Sequence, residues 1–252
     1  MKTQSFIFNW RNQFLSTLSI ESALHSCIDH VHVINSDENN FKPYWHNIGE
    51  SSYFTSQFLK ALELHDGESV FFHVQGDTSY SNWPQLIKDA GHYMLKYNAG
   101  IYYTKVKNVE WQSDELVELK LLNSQDENIK YVAAGDQTVW FIHPQIINYI
   151  KNAGLHKTFD SNKVGWGWDF VVSISSYLLG MGAIRDSNHI VEHSASRTYD
   201  NTLADKGWRD TFSRLPAEMQ YYINLIYKKE NLDPIAKMLP LNKTHRKASG
   251  NL

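Results

Sequence analysis

Over the first hundred residues, short apolar runs alternate with amphipathic stretches. The apolar runs are rich in β-branched and aromatic residues, which predicts buried strands at residues 5–8, 31–34 and 70–74. Apolar positions at helical spacing predict helices over residues 13–27, 53–64 and 84–96. Strands and helices in this order predict parallel βαβ units with right-handed crossovers. This part of the chain is therefore predicted to form an α/β sheet.

The first predicted helix carries apolar residues along one face. Its predicted buried face consists of Phe14, Leu15, Leu18, Ala23, Leu24 and Cys27. We expect Cys27 to be a core residue, because a free cysteine behaves as a small hydrophobic side chain. Since it is the only cysteine of the chain, an internal disulfide and a cysteine-rich zinc site are both excluded.

After Gly100 the pattern changes. Alternation of apolar and polar residues predicts an antiparallel or mixed extension of the sheet. The strand candidates are residues 101–107, 116–121, 131–134, 138–142, 183–186 and 189–191. A helix is predicted to begin at Pro144 and to end at Gly154, since proline favours the first turn and glycine the position after the last.

Beyond residue 200 the chain becomes charged and helical, with one helix predicted over residues 217–229. We expect a domain of residues 1–200, with halves at 1–98 and 99–200, followed by a helical C-terminal extension over 201–252. The last stretch, residues 242–252, is basic. Such a tail is compatible with peripheral association with a membrane surface.

Composition narrows the class of protein. The chain has 252 residues, of which 42% are hydrophobic and 20% charged, as in globular proteins. A formal net charge of −3 argues against nucleic acid as a partner, because no basic surplus exists to replace phosphate counterions. No apolar run approaches the ~18 residues of a membrane span, and the N-terminus lacks the apolar core of a signal peptide. We therefore expect a cytoplasmic protein.

Two stretches carry candidate chemistry. Asp77 follows the apolar run 70–74 within the sequence VFFHVQGDTSYSNW, and open α/β sheets bind ligands at the carboxyl ends of their strands. The alternative is a turn in which Asp77 bonds only the backbone. Further on, GWGWDF interleaves glycines with tryptophans and ends at Asp169. A helix is predicted to begin near Asp169, which could simply be its N-cap.

These segments, in this order, resemble the GT-A fold of nucleotide-sugar-dependent glycosyltransferases, and most closely bacterial enzymes of the family 2 type. FIFNWRNQ with SIESAL is similar to the first strand and helix of that fold, and VHVINSDEN to its second strand. VFFHVQGDTSY corresponds to the strand that carries the Asp-X-Asp metal motif. GWGWDF resembles the acceptor motif, and IVEHSASRTYD a late segment in which a histidine completes the metal site.

The resemblance implies a role for each matching residue. Asp169 would be the catalytic base of an inverting enzyme, and Asp77 and His193 would hold a divalent cation, Mn²⁺ or Mg²⁺. The implied donor-binding residues are Asn9, Arg11, Asn35, Asp37, Gln75 and Arg197. The implied acceptor-binding residues are Gln137, Trp166 and Trp168. The implied partners are a nucleotide-diphosphate sugar and a glycan or lipid-linked glycan, in bacterial surface polysaccharide synthesis, with residues 1–98 as the nucleotide-binding half and 99–200 as the acceptor half.

The sequence departs from the family pattern at Gln75, which stands where the first acidic residue of Asp-X-Asp is expected. A neutral amide binds a hard cation less well than a carboxylate does, and a histidine ligand shifts the preference from Mg²⁺ toward Mn²⁺. Two alternatives remain open. One is a sugar nucleotidyltransferase, although residues 9–12 lack the glycine-rich loop of that class. The other is a non-catalytic relative that binds nucleotide sugars or glycans.

Overall fold

The computed structural model describes residues 2–49, 53–107, 117–193, 200–228 and 230–240. The strands are β1 (Thr3–Asn9), β2 (His30–Asn35), β3 (His46–Asn47), β4 (Val70–Gln75), β5 (Thr78–Ser79), β6 (Ala99–Val106), β7 (Ile129–Tyr131), β8 (Val139–Ile142) and β9 (Gly182–His193). The α-helices are α1 (Phe14–His25), α2 (Phe54–Leu64), α3 (Trp83–Lys96), α4 (Pro144–Asn152), α5 (Trp168–Leu178), α6 (Asn201–Arg214), α7 (Ala217–Tyr227) and α8 (Asp233–Ala236). Short 3-10 turns lie at Arg11–Gln13 and Leu155–Phe159.

The strands form a mixed sheet in the order β3-β2-β1-β4-β8-β6-β9-β5, with β7 beside β9. The four strands from β3 to β4 are parallel, and so are β6 and β9. Strand β8 is antiparallel to both of its neighbours, β4 and β6. The beginning of β8 therefore lies at the edge where the parallel strands end. The predicted α/β class, with a mostly parallel sheet and a mixed second half, is confirmed.

Helices cover both faces of this sheet. Successive side chains of a strand point to opposite faces, and β4 shows this directly: Phe71 contacts Phe58 of α2, whereas Phe72 contacts Trp83 of α3. Helix α1 contacts α3, and α5 contacts α2 through a ring contact of Trp168 with Phe58. The centre of the sheet is thus buried on both sides, which explains the apolar runs of β4 and β8.

The C-terminal helices pack against the second half of the sheet domain. Helix α7 contacts α5, and α6 contacts the turn Leu155–Phe159. Trp208 of α6 contacts Phe170 of α5, with 5.9 Å between ring centroids. Within the part of the chain that the structure describes, no helix is both long and apolar enough to cross a membrane. The basic tail 242–252 lies outside the described residues, and the domain division stays a prediction.

The predicted buried face of α1 is partly wrong. Leu15 is 78% exposed, while Thr17, Ile20, Glu21 and Leu24 are buried. Glu21 is buried because the segment after β2 covers it, and its Oε1 accepts a hydrogen bond of 3.0 Å from Nε1 of Trp45. A polar position that a later segment covers cannot be recognised from the periodicity of one helix.

Two strand predictions also need correction. The short strands predicted at 183–186 and 189–191 form a single strand, β9, whose pairing with β6 shifts register between Asp186 and Ile190. The shift is a bulge, which looks in the sequence like a break. The strand predicted at 116–121 is reduced, among its described residues, to an isolated bridge between Glu118 and Val132.

Candidate active site

A chain of side-chain amides, buried at Asn9 and Asn35 and exposed at Asn47, crosses the carboxyl edge of β1, β2 and β3. Nδ2 of Asn9 donates to Oδ1 of Asn35 at 2.5 Å, and Nδ2 of Asn35 donates to Oδ1 of Asn47 at 2.7 Å. Gln57 of α2 donates to the backbone oxygens of Asn9 and Ile34. These bonds fix the ends of three parallel strands relative to one another. Asn9 and Asn35, both predicted donor contacts, therefore lie at the edge but use their amides within the chain.

The other predicted donor residues lie along the same edge. The carboxylate of Asp37 is buried and accepts hydrogen bonds from the backbone nitrogens of Asn39 and Asn40, so it organises the loop after β2. Arg11 is exposed after β1, with its guanidinium 4.7 Å from the ring centroid of Trp10. Its φ of 44° is rare for a residue with a side chain, and such positions concentrate at functional sites. Gln75 ends β4 and is half-buried, and Arg197 lies outside the described residues.

Asp77 is placed by the close approach of the preceding glycine to α1. A Cβ at Gly76 would lie 2.4 Å from Oγ1 of Thr17 and 2.8 Å from the backbone oxygen of Phe8, so only glycine lets the chain turn here. The turn leads into β5, which pairs antiparallel with the end of β9 and sets Thr78 opposite His193. As a result, Oδ1 of Asp77 lies 3.0 Å from Nδ1 of His193.

The electrostatics of this pair favour a charged imidazole. Burial lowers the pKa of His193, but the hydrogen bond that its ring donates to Asp77 and the charges of Asp77 and Asp136 outweigh burial and raise the pKa overall. Side-chain exposure is 30% for His193 and 16% for Asp77, so both remain accessible. The structure brings together the two residues predicted to hold a cation.

The pair fits a divalent cation whose coordination shell is completed by another ligand, on condition that His193 releases its proton, because only a neutral imidazole binds a metal. Oδ1 of Asp77 and Nδ1 of His193 face each other at 3.0 Å, and carboxylate oxygen and imidazole nitrogen are both ligands of divalent cations. Over the described residues no group of three His, Cys, Asp or Glu side chains could hold a metal. Ions such as Mg²⁺ often use one or two protein ligands together with substrate phosphates. The two side chains would thus supply part of a coordination shell that a diphosphate completes.

Asp169 lies in the first turn of α5, after Gly167. The N-cap is Gly167, with φ of 94°, so the alternative that Asp169 is the N-cap is wrong. A Cβ at residue 167 would lie 2.0 Å from the ring of Trp208. Asn162 braces the same loop, accepting from the nitrogen of Gly165 at 3.1 Å and donating to the oxygen of Trp166 at 2.7 Å. Glycine at residue 167 therefore sets where α5 begins and where Asp169 stands.

The environment of Asp169 makes it a stronger base than an ordinary aspartate. Burial, with the nearby Asp136 carboxylate, raises its pKa to about 7, although backbone N–H groups at the helix start act in the opposite direction. The side chain is only 7% exposed. A carboxylate with a pKa near the working pH is well matched to accept a proton from a hydroxyl.

Asp136 is a residue of the site that sequence reasoning missed. It lies just before β8 and influences both Asp169 and His193 electrostatically. Its Oδ1 accepts hydrogen bonds from the backbone nitrogen and the hydroxyl of Thr138, at 2.7 and 2.5 Å. The signal was the polar segment between two strand candidates. Asp136 can be assigned to the site only when the antiparallel direction of β8 is known, because that direction places the start of β8 at the carboxyl edge.

The three predicted acceptor residues differ in burial and in location. Trp168 is fully buried, stacked on Phe159 with 3.8 Å between ring centroids, so we assign it to the core. Trp166 is half-buried and packs against the same core. Gln137 lies beside Asp136 at the start of β8, and its Oε1 is buried without a hydrogen-bond partner among the described residues.

No protein-family model matches the sequence, and no characterised protein matches it at a significant level. Among solved structures, the chain is similar to glucosyl-3-phosphoglycerate synthase from Mycobacterium tuberculosis in complex with Mn²⁺, uridine diphosphate and phosphoglyceric acid. The TM-score is 0.52 and the identity 11%, over 84% of this chain and 78% of that chain. The chain has the GT-A fold.

Other solved structures are similar to a comparable or lower degree. One, described as a mycobacterial protein, has a TM-score of 0.51 and 10% identity over 86% of this chain and 76% of that chain. A UDP-glucose pyrophosphorylase complexed with UDP-glucose has a TM-score of 0.48 and 7% identity, over 85% of this chain and all of that chain. The latter likeness is too low to bear on function. In this GT-A chain, Asp77, Asp136, Asp169 and His193 constitute the candidate active site.

Proposed function

We propose that the chain is a glycosyltransferase that transfers a sugar from a nucleotide diphosphate to an acceptor hydroxyl with inversion. The observation that carries this proposal is Asp169, a buried carboxylate with a pKa of about 7 in electrostatic range of Asp136. Asp136 is in turn in range of the Asp77–His193 pair. A base and a site for a diphosphate are the two elements that glycosyl transfer requires.

The proposed reaction proceeds in one displacement. The acceptor hydroxyl gives its proton to the carboxylate of Asp169 while its oxygen forms the new bond to the anomeric carbon. The bond from that carbon to the diphosphate oxygen breaks, and its electron pair leaves with the nucleoside diphosphate. A divalent cation, when bound, would offset the negative charge that develops on the diphosphate. Asp77 and His193 would orient that cation.

Support for a nucleotide-sugar donor comes from the fold and from the edge of the sheet. The similar synthase was solved with Mn²⁺ and uridine diphosphate. In this chain the exposed Arg11 and the half-buried Gln75 stand at the carboxyl edge, where α/β sheets bind nucleotides. We assign direct donor contacts to Arg11, Gln75 and Arg197, and the shaping of the edge to Asn9, Asn35 and Asp37.

The acceptor half is proposed on the position of side chains next to Asp169. We assign acceptor contacts to Gln137 and Trp166, and propose a glycan or lipid-linked glycan as acceptor. The assignment to bacterial surface polysaccharide synthesis rests on the family resemblance. A peripheral membrane contact is proposed on the basic composition of residues 242–252.

The test is turnover of labelled donors by the purified full chain. UDP- and GDP-sugars labelled in the sugar are incubated with and without Mn²⁺, and release of free or transferred sugar is measured. Binding is followed in parallel by thermal shift, because a ligand that binds the native state raises the melting temperature. Binding together with turnover supports a transferase. Binding without turnover in the presence of a broad acceptor mixture would identify a non-catalytic binding protein instead.

A further inference from the structure

Three aromatic side chains from three helices meet next to Asp169. We call Phe170, Trp208 and Tyr227 the aromatic cluster. Phe170 directly follows Asp169 in α5, and its ring centroid lies 5.9 Å from that of Trp208 and 5.5 Å from that of Tyr227. The rings of Trp208 and Tyr227 are nearly parallel, with an interplanar angle of 14° and 6.3 Å between centroids.

Core packing accounts for Trp208 but leaves Tyr227 unexplained. Trp208 is buried and fills the space above Gly167, which holds α6 against the GWGWDF loop. Tyr227, the last residue of α7, is 51% exposed although its ring touches the other two. An exposed aromatic ring that rests on buried rings presents a rigid apolar surface to solvent, and such surfaces mark binding sites when they adjoin functional groups.

The position of Tyr227 connects it to the chemistry of the site. Partial burial and the nearby carboxylate of Asp169 raise the pKa of the Tyr227 hydroxyl. Asp205 and Arg209 of α6 also lie in electrostatic range of this hydroxyl. They pair with each other, with 2.7 Å between Nε and Oδ2. The hydroxyl of the exposed ring thus lies in electrostatic range of the proposed base, Asp169, and of a pair of opposite charges.

We propose that Tyr227, supported by Trp208 and Phe170, is a stacking platform that binds a pyranose ring of the proposed glycan acceptor. The C–H groups on one face of a pyranose carry partial positive charge and are attracted to the negative face of an aromatic ring. The hydroxyls around the ring need polar partners, which Asp205 and Arg209 provide. The role of the bound sugar as the acceptor rests on the proposed function. The carbohydrate site itself rests on the aromatic cluster.

The charges around the cluster favour a sugar over other occupants. Asp205 and Arg209 sum to zero charge, and Asp169 and Asp136 add negative charge nearby. Anionic membrane surfaces attract basic segments, so this surface is unsuited to one. A neutral, polyhydroxylated ring suits both the apolar face and the paired charges.

The experiment measures binding of simple glycosides to the full chain by saturation-transfer NMR and titration. The probes are the methyl glycosides of glucose, galactose, mannose and N-acetylglucosamine. The variants are Tyr227→Leu, which keeps apolar volume but removes the aromatic face, and Tyr227→Phe, which keeps the face. The matched control is Tyr221→Leu, since Tyr221 lies on the same helix and is 52% exposed. Thermal melts verify that all variants fold.

The expected result is that at least one glycoside binds the unaltered chain. Tyr227→Leu should weaken that binding by about three- to tenfold, as expected for an aromatic face contact. Binding to Tyr227→Phe should stay within about twofold of the unaltered chain, and Tyr221→Leu should have no effect.

The inference is overturned if no glycoside binds or if Tyr227→Leu binds glycoside as well as the unaltered chain does. It is equally overturned if Tyr221→Leu loses as much glycoside affinity as Tyr227→Leu. It is also overturned if light scattering shows a dimer that Tyr227→Leu dissociates, because a second copy would then be the occupant. Nucleotide-sugar binding is measured on the same preparations. Failure of donor binding alone contradicts the proposed transferase and leaves a glycan site, whereas failure of glycoside binding alone contradicts only this inference.

Discussion

Nδ1 of His193 lies 3.0 Å from Oδ1 of Asp77, which joins the last residue of β9 to the turn after β4. The two residues are 116 positions apart in the chain. Their contact depends on β5, whose pairing with β9 sets Thr78 opposite His193. The pair is thus held by the sheet itself before any ligand binds, and preorganised ligands lose less free energy on binding a cation.

Removing either member of this pair should weaken cation-dependent binding of nucleotide. Asp77→Ala and His193→Ala are each expected to reduce the affinity for UDP in the presence of Mn²⁺ by at least about tenfold, since each removes one of two protein ligands. Calorimetric titration with and without Mn²⁺ measures this. His92→Ala, at an exposed position of α3, is the control. Undiminished UDP binding in excess EDTA would show that the cation is not needed.

Asp169→Asn tests the proposed base directly. General-base assistance is worth ~10²–10⁴-fold in rate, so transfer should fall by about that factor while donor affinity stays unchanged. In the unaltered chain, the rate should rise with pH around an apparent pKa near 7, because the carboxylate must be deprotonated to accept the proton. Initial rates across pH measure both. A variant that transfers sugar at the original rate would exclude Asp169 as the base.

The same substitution should stabilise the fold at high pH. The folded pKa of Asp169 is raised from 3.8 to about 7, so the native state binds the proton more tightly than the unfolded chain does. Stability is therefore lost as the pH rises from about 4 through about 7. Asn cannot ionise and avoids this loss, which amounts to at most about 4 kcal/mol. Denaturant unfolding at pH 5 and pH 8 should show a larger gain for Asp169→Asn at pH 8, and equal gains would contradict the raised pKa.

Asp136→Asn should shift the pH dependence of the rate toward lower pH. Removing a neighbouring negative charge lowers the pKa of Asp169, although burial keeps it above its ordinary value. Asn retains an oxygen that can accept from Thr138, so the loop should keep its shape. The measurement is the midpoint of the pH–rate profile. Asp29→Asn, exposed at the opposite edge of the sheet before β2, should leave that midpoint unchanged.

Gly167→Ala should destabilise the chain strongly. A methyl group there would meet the Trp208 ring, and φ of 94° is unfavourable for any residue with a Cβ. Left-handed strain and overpacking together predict a loss of about 2–4 kcal/mol in unfolding free energy. Gly91→Ala is the matched control, because it lies inside α3 with no atom within 4 Å of the added methyl. There alanine should stabilise by about 0.5–1 kcal/mol, through its better helix propensity.

The parallel core of the sheet could be predicted because each strand carries its own signal. Strands β1 and β4 each contain an apolar run, residues 6–8 and 70–72, and the polar residues that end them mark one edge. The predicted burial of Leu15 and the predicted division of β9 into two strands were wrong because neither feature has a local signal. Leu15 is exposed whereas Glu21 is covered by the segment after β2, and the continuity of β9 depends on a bulge opposite β6. Both are decided by contacts distant in sequence.

The candidate site likewise contains residues that the sequence indicates and residues that only the structure reveals. Asp77, Asp169 and His193 lie in segments whose motifs are local, so they could be proposed from the sequence, and the structure places Asp77 and His193 in contact. Asp136 could not be inferred, because its place depends on the direction of β8. The saturation of Asn35, which uses both hydrogens and its oxygen in bonds to Asn9, Asp37 and Asn47, also required the structure.

The amide chain of Asn9, Asn35 and Asn47 makes one part of the carboxyl edge insensitive to pH. Carboxamides do not titrate, so the hydrogen bonds that align the ends of β1, β2 and β3 persist from acid to alkaline pH. At the start of α5, by contrast, the carboxyl group of Asp169 has its pKa raised to about 7, so it takes up a proton as the pH falls through neutrality. Acidification can therefore switch off the half of the edge where chemistry is proposed and leave the half where the nucleotide is proposed to bind in place.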